Sequence, residues 1–254
     1  MTHQMHLNSE PFHAIKSGFK SIELRLYDEK RKQIKIGDSI EFICTDNENE
    51  TIIKKVVDLH IFPSFDILYE NLPLLKCGYT PFTLPLADPK QTEKYYSKES
   101  QAKYSVVGIE LEEEPLQRFI SGQSGTMTYC SSYDIALKEI RSGHKETHWI
   151  WYVFPQLRGL TSDTVTEYYA LNGRAEAKEY ISHSILGTRL VEISTELLNL
   201  DACDLMTVLG RIDAYKLRSS MTLFDKIAPE KKVFSAVLEK YCMGIKDNYT
   251  LRII

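Results

Sequence analysis

Gly18-Phe19-Lys20-Ser21-Ile22-Glu23-Leu24-Arg25 places a glycine turn before an apolar, strand-like run that carries three ionisable residues. A strand alternates its side chains between two faces. Ser21, Glu23 and Arg25 are therefore expected on one face, with Ile22 and Leu24 pointing into a core. Lys20 stands at the strand entrance, from which its long side chain reaches either face. A Glu/Arg pair two residues apart on a half-exposed strand is ordinarily a solvated ion pair worth about 0–1 kcal/mol, so spacing alone does not make a site.

The flanking segments add meaning to the string. Asp28-Glu29-Lys30-Arg31-Lys32 reads as a charged helical turn, and Ile34-Lys35-Ile36-Gly37-Asp38-Ser39-Ile40-Glu41-Phe42 as a turn entering a second strand. Thr51 to Phe62 alternates as one long strand, bent or bulged midway. Ser64 is placed to cap a helix that runs through Tyr69. Leu72 to Leu86 is rich in proline and poor in periodicity, as segments lining a cleft often are. Within it, Tyr79 and Phe82 offer aromatic faces on which a base can stack. Tyr95-Tyr96-Ser97 reads as helical, and Ser105 to Leu111 as a closing strand.

This order of elements, with the G-x-K-x-x-E-x-R string inside it, resembles the ASCH domain, a β-barrel relative of the PUA RNA-binding fold. The resemblance covers roughly residues 1–112. It implies an RNA-binding module, and the candidate ligand residues under that reading are Gly18, Lys20, Glu23, Arg25 and Tyr79. Lys20 and Arg25 would contact phosphate or a base edge, and Glu23 would orient Arg25 or accept a base amino group. Some members hydrolyse the amide of N4-acetylated cytidine with a lysine in this strand, a threonine three residues later and a glutamate elsewhere. Here Lys20 matches the lysine, but Glu23 stands where the threonine nucleophile would be. The candidate catalytic pair thus becomes Glu23 as a general base on water and Lys20 as the oxyanion stabiliser.

Charge narrows the ligand. Residues 1–112 carry 14 Lys and Arg against 17 Asp and Glu, and residues 113–254 carry 17 against 18, so neither half has the cationic surface that gripping a duplex requires. The partner expected is a nucleotide, a modified nucleoside or a short single-stranded RNA, with no extended duplex contact. The densest basic stretch, Lys30 to Lys35, is flanked by Asp28, Glu29 and Asp38 and reads as an exposed turn.

The 254 residues allow one large or two ordinary domains. No apolar run approaches the ~18 residues needed to span a bilayer. The start, Met1-Thr2-His3-Gln4-Met5-His6, has no signal-like pattern, so a cytoplasmic protein without membrane partners is expected. Cys44, Cys77, Cys130, Cys203 and Cys242 are scattered, odd in number and without C-x-x-C spacing, and the histidines form no H-x-x-x-H pair. Neither a disulfide framework, a metal centre nor a cofactor is expected.

After the acidic connector Glu112-Glu113-Glu114-Pro115, helical periodicity replaces strand signals, and the fold class expected is α+β: a barrel over 1–112 and an all-α domain over 116–254. Ser132 to Gly143 has a serine cap, an apolar stripe and a terminal glycine. Segments near 162–172, 174–182, 187–199, 213–227 and 231–243 read likewise. Thr147 to Leu160 holds both tryptophans. It forms either a buried anchor or a pocket in which His148 supplies a titratable group, Trp149 or Trp151 a stacking face and Gln156 an amide. Lys216, Arg218, Ser219 and Thr222 are candidates for holding an anion such as phosphate beside it. Asp213, Lys216 and Ser220 fall on one helix face.

Arg118-Phe119, His148 to Leu157, Glu176-Ala177 with Tyr180, Leu186 to Leu190 and Lys216 to Phe224 resemble, in order, the helical DUF1810 family across 116–254. That resemblance implies a fold class and no reaction. Three function classes therefore stand open: an RNA or nucleotide reader, a hydrolase of a modified nucleoside, and an interaction module using the aromatic segment or the Leu72 to Leu86 loop.

Overall fold

The computed structural model describes residues 1–80, 83–125, 130–201 and 204–254; Phe82 and Cys203 lie outside them. The chain divides into two compact units, Met1–Gln117 and Arg118–Ile254, and its class is α+β.

The first unit is a curled half-barrel of five strands: β1 (Thr2–Leu7), β2 (Ile22–Leu26), β3 (Ser39–Cys44), β4 (Asn47–Phe62) and β5 (Val106–Leu111), in the order β1-β3-β4-β5-β2. β1 runs parallel to β3, and the other pairs are antiparallel. The long strand β4 pairs with β3 in its first half and β5 in its second, and the register shifts between Val56 and Asp58. That bulge lets one strand turn the corner of the barrel. α1 (Ser9–Lys16), α2 (Phe65–Asn71) and α3 (Lys98–Tyr104) complete the unit.

Two apolar clusters lie on opposite faces of the sheet. Inside the curl, Phe12 and Ile15 of α1 pack with Met5, Phe42, Val56, Val107 and Ile109. On the other face, Ile22 and Val106 pack with Phe65, Leu68 and Leu72 of α2 and its exit. Leu24 joins this second cluster, so Ile22 and Leu24 do meet a core. Gly108 permits it, because a Cβ there would stand 2.6 Å from the Leu72 side chain. Ser64 caps α2, accepting the Ile67 N–H.

Some local expectations require correction. The turn near Asp28 is a single 3-10 turn, Arg31–Gln33, and Tyr95-Tyr96-Ser97 is not helical: Ser97 instead caps α3, accepting the Ser100 N–H. β1 carries too many polar residues, Thr2, His3, Gln4 and His6, for its alternation to show; only Met5 and Leu7 are buried.

The chain continues through α4 (Gln117–Ser124), α5 (Tyr133–Ser142), α6 (Ile150–Val153), α7 (Thr164–Tyr168), α8 (Arg174–Ser182), α9 (Leu186–Asn199), α10 (Leu205–Leu209), α11 (Arg211–Ile227), α12 (Val233–Cys242) and α13 (Asn248–Ile253). The segment near 162–172 is helical only over α7, and Leu171 forms a β-bridge with Leu157. No helix among the described residues is long and apolar enough to cross a membrane.

The core of the helical unit is aromatic. Phe119 meets Tyr180 edge-on at 5.0 Å, and Tyr180, Phe224 and Phe234 follow one another at 5.6 and 5.7 Å. Ser132 caps α5 and Gly143 ends it in the left-handed conformation. From α5, the buried Glu139 accepts the Trp149 indole N–H at 2.7 Å, the Thr147 hydroxyl at 2.7 Å and the Glu146 N–H at 3.0 Å. Burial pushes the Glu139 carboxyl up, but these donors outweigh it and its pKa lies below the usual 4.5.

Glu139→Ala would leave these donors facing an apolar interior, at about 1–3 kcal/mol for each one left unpaired. Urea unfolding should show a loss of about 2 kcal/mol or more, on the same scale. The carboxyl's pKa is depressed on folding, so its stabilisation is full above pH 4.5 and is lost as pH falls through the folded value. The difference between wild type and variant should shrink over that acid range.

Candidate functional site

β2 and β1 are the two edge strands of the sheet. In the β2–β5 register Glu23 stands opposite Ile109 and Arg25 opposite Val107, both members of the cluster inside the curl. Glu23 and Arg25 therefore share the inner face, and the solvated pair expected from spacing is instead a buried ion triad. Lys20 Nζ lies 2.7 Å from Glu23 Oε2, Arg25 Nε lies 2.8 Å from Glu23 Oε1, and the Glu23 side chain is only 4% exposed. Although ion-paired, Glu23 Oε2 and Arg25 Nε are buried without an aligned hydrogen bond.

Arg25 has two further partners. Its Nη1 donates to the Tyr96 hydroxyl at 3.0 Å and its Nη2 to the His6 carbonyl at 3.2 Å, which links the free edge of β2 to β1. Burial alone would lower the Arg25 pKa; Glu23 and Tyr96 more than offset it and hold the guanidinium charged. Ser21 takes a separate path, donating to Glu113 at 2.7 Å, while the Ser21 and Ile22 N–H groups both donate to the Lys76 carbonyl.

The loop after α2 walls the Lys20 side. Gly78, at φ +103°, passes so close that a Cβ would stand 3.3 Å from Lys20 Cδ. Tyr79 is half-buried in the second cluster, its hydroxyl 2.9 Å from that of Tyr69. Burial pushes the Cys77 thiol up to about 12, with Lys20 drawing it down and Glu23 pushing it up, so it is no thiolate nucleophile at neutral pH. Gly18, at φ +73°, faces Gln117, which a Cβ would approach to 2.3 Å; its role is the turn into β2.

Outside the curl, Asp58, His60 and Glu110 bring one donor atom each within 4.8 Å of one another. His60 Nε2 is 2.8 Å from Glu110 Oε2, and Lys76 pairs with both Glu110 and Glu113 at 3.1 and 2.8 Å. Such a set has the donor types for a divalent cation, though Lys76 already supplies Glu110 with a counter-charge. The basic stretch is likewise internally paired, Arg31 with Asp28 and Lys32 with Glu29, both at 2.7 Å.

In the helical unit Trp149 is fully buried, whereas Trp151 is half-buried and His148 exposed. The His148 ring stacks on Trp151 at 6.2 Å, and Lys216 Nζ lies 4.9 Å from the Trp151 ring centre. Lys216 also meets Asp213 at 3.4 Å, and Asp213 meets Lys145 at 2.8 Å. His148, Trp151 and Lys216 are thus brought together. The Gln156 carbonyl accepts the Leu171 N–H beside the bridge. Ser219 and Thr222 do not join them: the Ser219 hydroxyl pairs with Thr250 at 2.7 Å and the Thr222 hydroxyl accepts the Asp247 N–H at 2.9 Å, fastening α13. Ser220 is wholly buried.

Residues 113–254 match the family described as "Protein of unknown function (DUF1810)", and residues 5–115 match the ASCH domain. The chain belongs to the DUF1810 family. Its DUF1810 region follows an ASCH domain, a class associated at the family level with RNA and nucleotide binding. Among solved structures it is similar to the conserved hypothetical protein Rv1873 from Mycobacterium tuberculosis, at 36% identity over 54% of this chain and 94% of that one, with a TM-score of 0.51. It is also similar to the hypothetical protein PH0355, at 32% identity over 45% of this chain and 100% of that one (TM-score 0.38). Protein PF0455 from Pyrococcus furiosus matches at 33% identity over 44% and 97% (TM-score 0.36). No functionally curated protein matches the chain. The string His148 to Gln156 splits between core and surface, with Trp149 as its anchor on Glu139.

Removing Glu23 alone leaves two cations in a largely buried site. Glu23→Ala should destabilise the ASCH domain by about 3–5 kcal/mol. The triple variant Lys20→Met/Glu23→Leu/Arg25→Met, which removes all three charges, should recover much of that loss in urea unfolding. Equal losses in both variants would contradict the triad's electrostatic role.

Proposed function

We propose that the ASCH domain recognises a nucleotide, a modified nucleoside or a short single-stranded RNA at the Lys20–Glu23–Arg25 triad. The observation that supports this reading is the cluster of two cations and one carboxylate on an edge strand of the half-barrel, with Lys20 and Arg25 each within 2.8 Å of Glu23. A base edge presents acceptors and donors to such groups, and unpaired bases are what proteins read in RNA. Glu23 would accept a base amino group, Lys20 would contact a phosphate or carbonyl, and Tyr79 would border the base. Arg25, already committed to Tyr96 and His6, would mainly orient Glu23. The net acidity of residues 1–112 keeps the contact local.

A hydrolytic reading is favoured by one distance, the 2.7 Å between Lys20 Nζ and Glu23 Oε2. In that reading Glu23 takes a proton from water as the water oxygen attacks an amide carbonyl of a modified nucleoside, and Lys20 stabilises the oxyanion. The C–N bond then breaks, the proton passes to the departing amine, and a carboxylic acid remains.

Wild type and Lys20→Ala should be incubated with a panel of modified nucleosides and short RNAs, scoring binding and product. The reader predicts binding weakened about tenfold or more by the substitution, equivalent to about 1.4 kcal/mol, with a shallow salt dependence. Product formed by wild type and lost in the variant establishes the hydrolase. Absence of both binding and product in wild type rejects nucleic-acid recognition.

A further inference from the structure

We propose that a groove in the helical unit binds a small phosphate monoester with an apolar body. The groove lies where the end of α8, the start of α9 and the turn after α11 meet. Its volume is about 610 Å³, within the ~300–1,000 Å³ typical of small-molecule sites.

Its floor is apolar. Ile181, Ile227 and Ala228 are buried, and α9 is drawn against α8 at Gly187, where a Cβ would stand 2.1 Å from the Ile181 carbonyl oxygen. That contact closes the floor with backbone and leaves a concave surface for an apolar body.

The rim favours an anion. Lys178 and Lys231 line it, are exposed, and enter no ion pair with another described residue. Glu230 is the one carboxylate in the lining, so the two lysines outnumber it by one charge. His183 Nδ1 accepts the Ile185 and Leu186 N–H groups at 3.2 and 3.3 Å, which places its ring proton on Nε2 as a donor. Ser182 and Ser184 also line the groove. Two ammonium groups, an imidazole N–H and two hydroxyls suit the several terminal oxygens of a phosphate monoester better than the two oxygens of a carboxylate.

The test uses the full chain and amide NMR spectra, with phenyl phosphate as the probe and inorganic phosphate, phenol and benzoate beside it. Phenyl phosphate should shift the amides of residues 185–188 saturably. Inorganic phosphate and benzoate should bind about tenfold more weakly or worse, and phenol should not shift these amides. Lys178→Glu/Lys231→Glu, a change of exposed side chains, should abolish the shifts while leaving the circular dichroism melt unchanged, and Glu230→Gln should tighten binding. The proposal is overturned if no saturable shift occurs at these amides, or if the charge-reversed variant binds as well as wild type. It is equally overturned if inorganic phosphate or benzoate matches phenyl phosphate. Shifts confined to residues 20–25 would assign the probe to the ASCH domain and also reject the groove.

Discussion

A carboxylate removed from water costs several kcal/mol unless cations meet it at close range, and the ASCH domain is arranged around one such group. Glu23 faces the apolar inside of the curled sheet, with Lys20 at one oxygen and Arg25 at the other. The same guanidinium reaches the His6 carbonyl on the opposite edge strand. The charge that satisfies Glu23 thus also joins the two free edges of the half-barrel. Fold and site share one constraint here, since a substitution at Arg25 touches the carboxylate, the Tyr96 hydroxyl and the β1 edge together.

The helical unit solves a similar problem without a cation. Glu139 is buried against the indole of Trp149, the Thr147 hydroxyl and two backbone N–H groups, and these donors hold its pKa low. Neutral donors surround Glu139 and fix an anchor of the segment in place, whereas two cations meet Glu23. This difference separates a structural carboxylate from the one assigned to recognition.

Much of the architecture was legible in residue order. The G-x-K-x-x-E-x-R string, the long β4 with its bulge, the Ser64 and Ser132 caps and the Gly143 stop are local signals, and each appears in the structure where its chemistry requires it. Burial of the triad was not legible, because alternation assigns a residue to a face without saying which face is inside; the register opposite Ile109 and Val107 settles that. The partners of Arg25 were hidden for a related reason, since Tyr96 lies 71 residues away and the other acceptor is a backbone carbonyl. Helices of four to six residues such as α6, α10 and α13 are too short to show a period. Ser219 and Thr222 illustrate the converse case: hydroxyls beside cations suggested an anion site, but tertiary packing spends them on α13.

The central claim is that the ligand of the ASCH domain meets the Lys20–Glu23–Arg25 triad. Side-chain NMR of the Arg25 Nε–H group and the Lys20 ammonium, followed during titration with a single-stranded RNA or a modified nucleoside that binds, tests it most directly. Both signals should shift in step with binding, together with the Glu23 carboxyl carbon. Saturable binding with all three signals unmoved, and shifts gathered instead around Lys30 to Lys35, would contradict it.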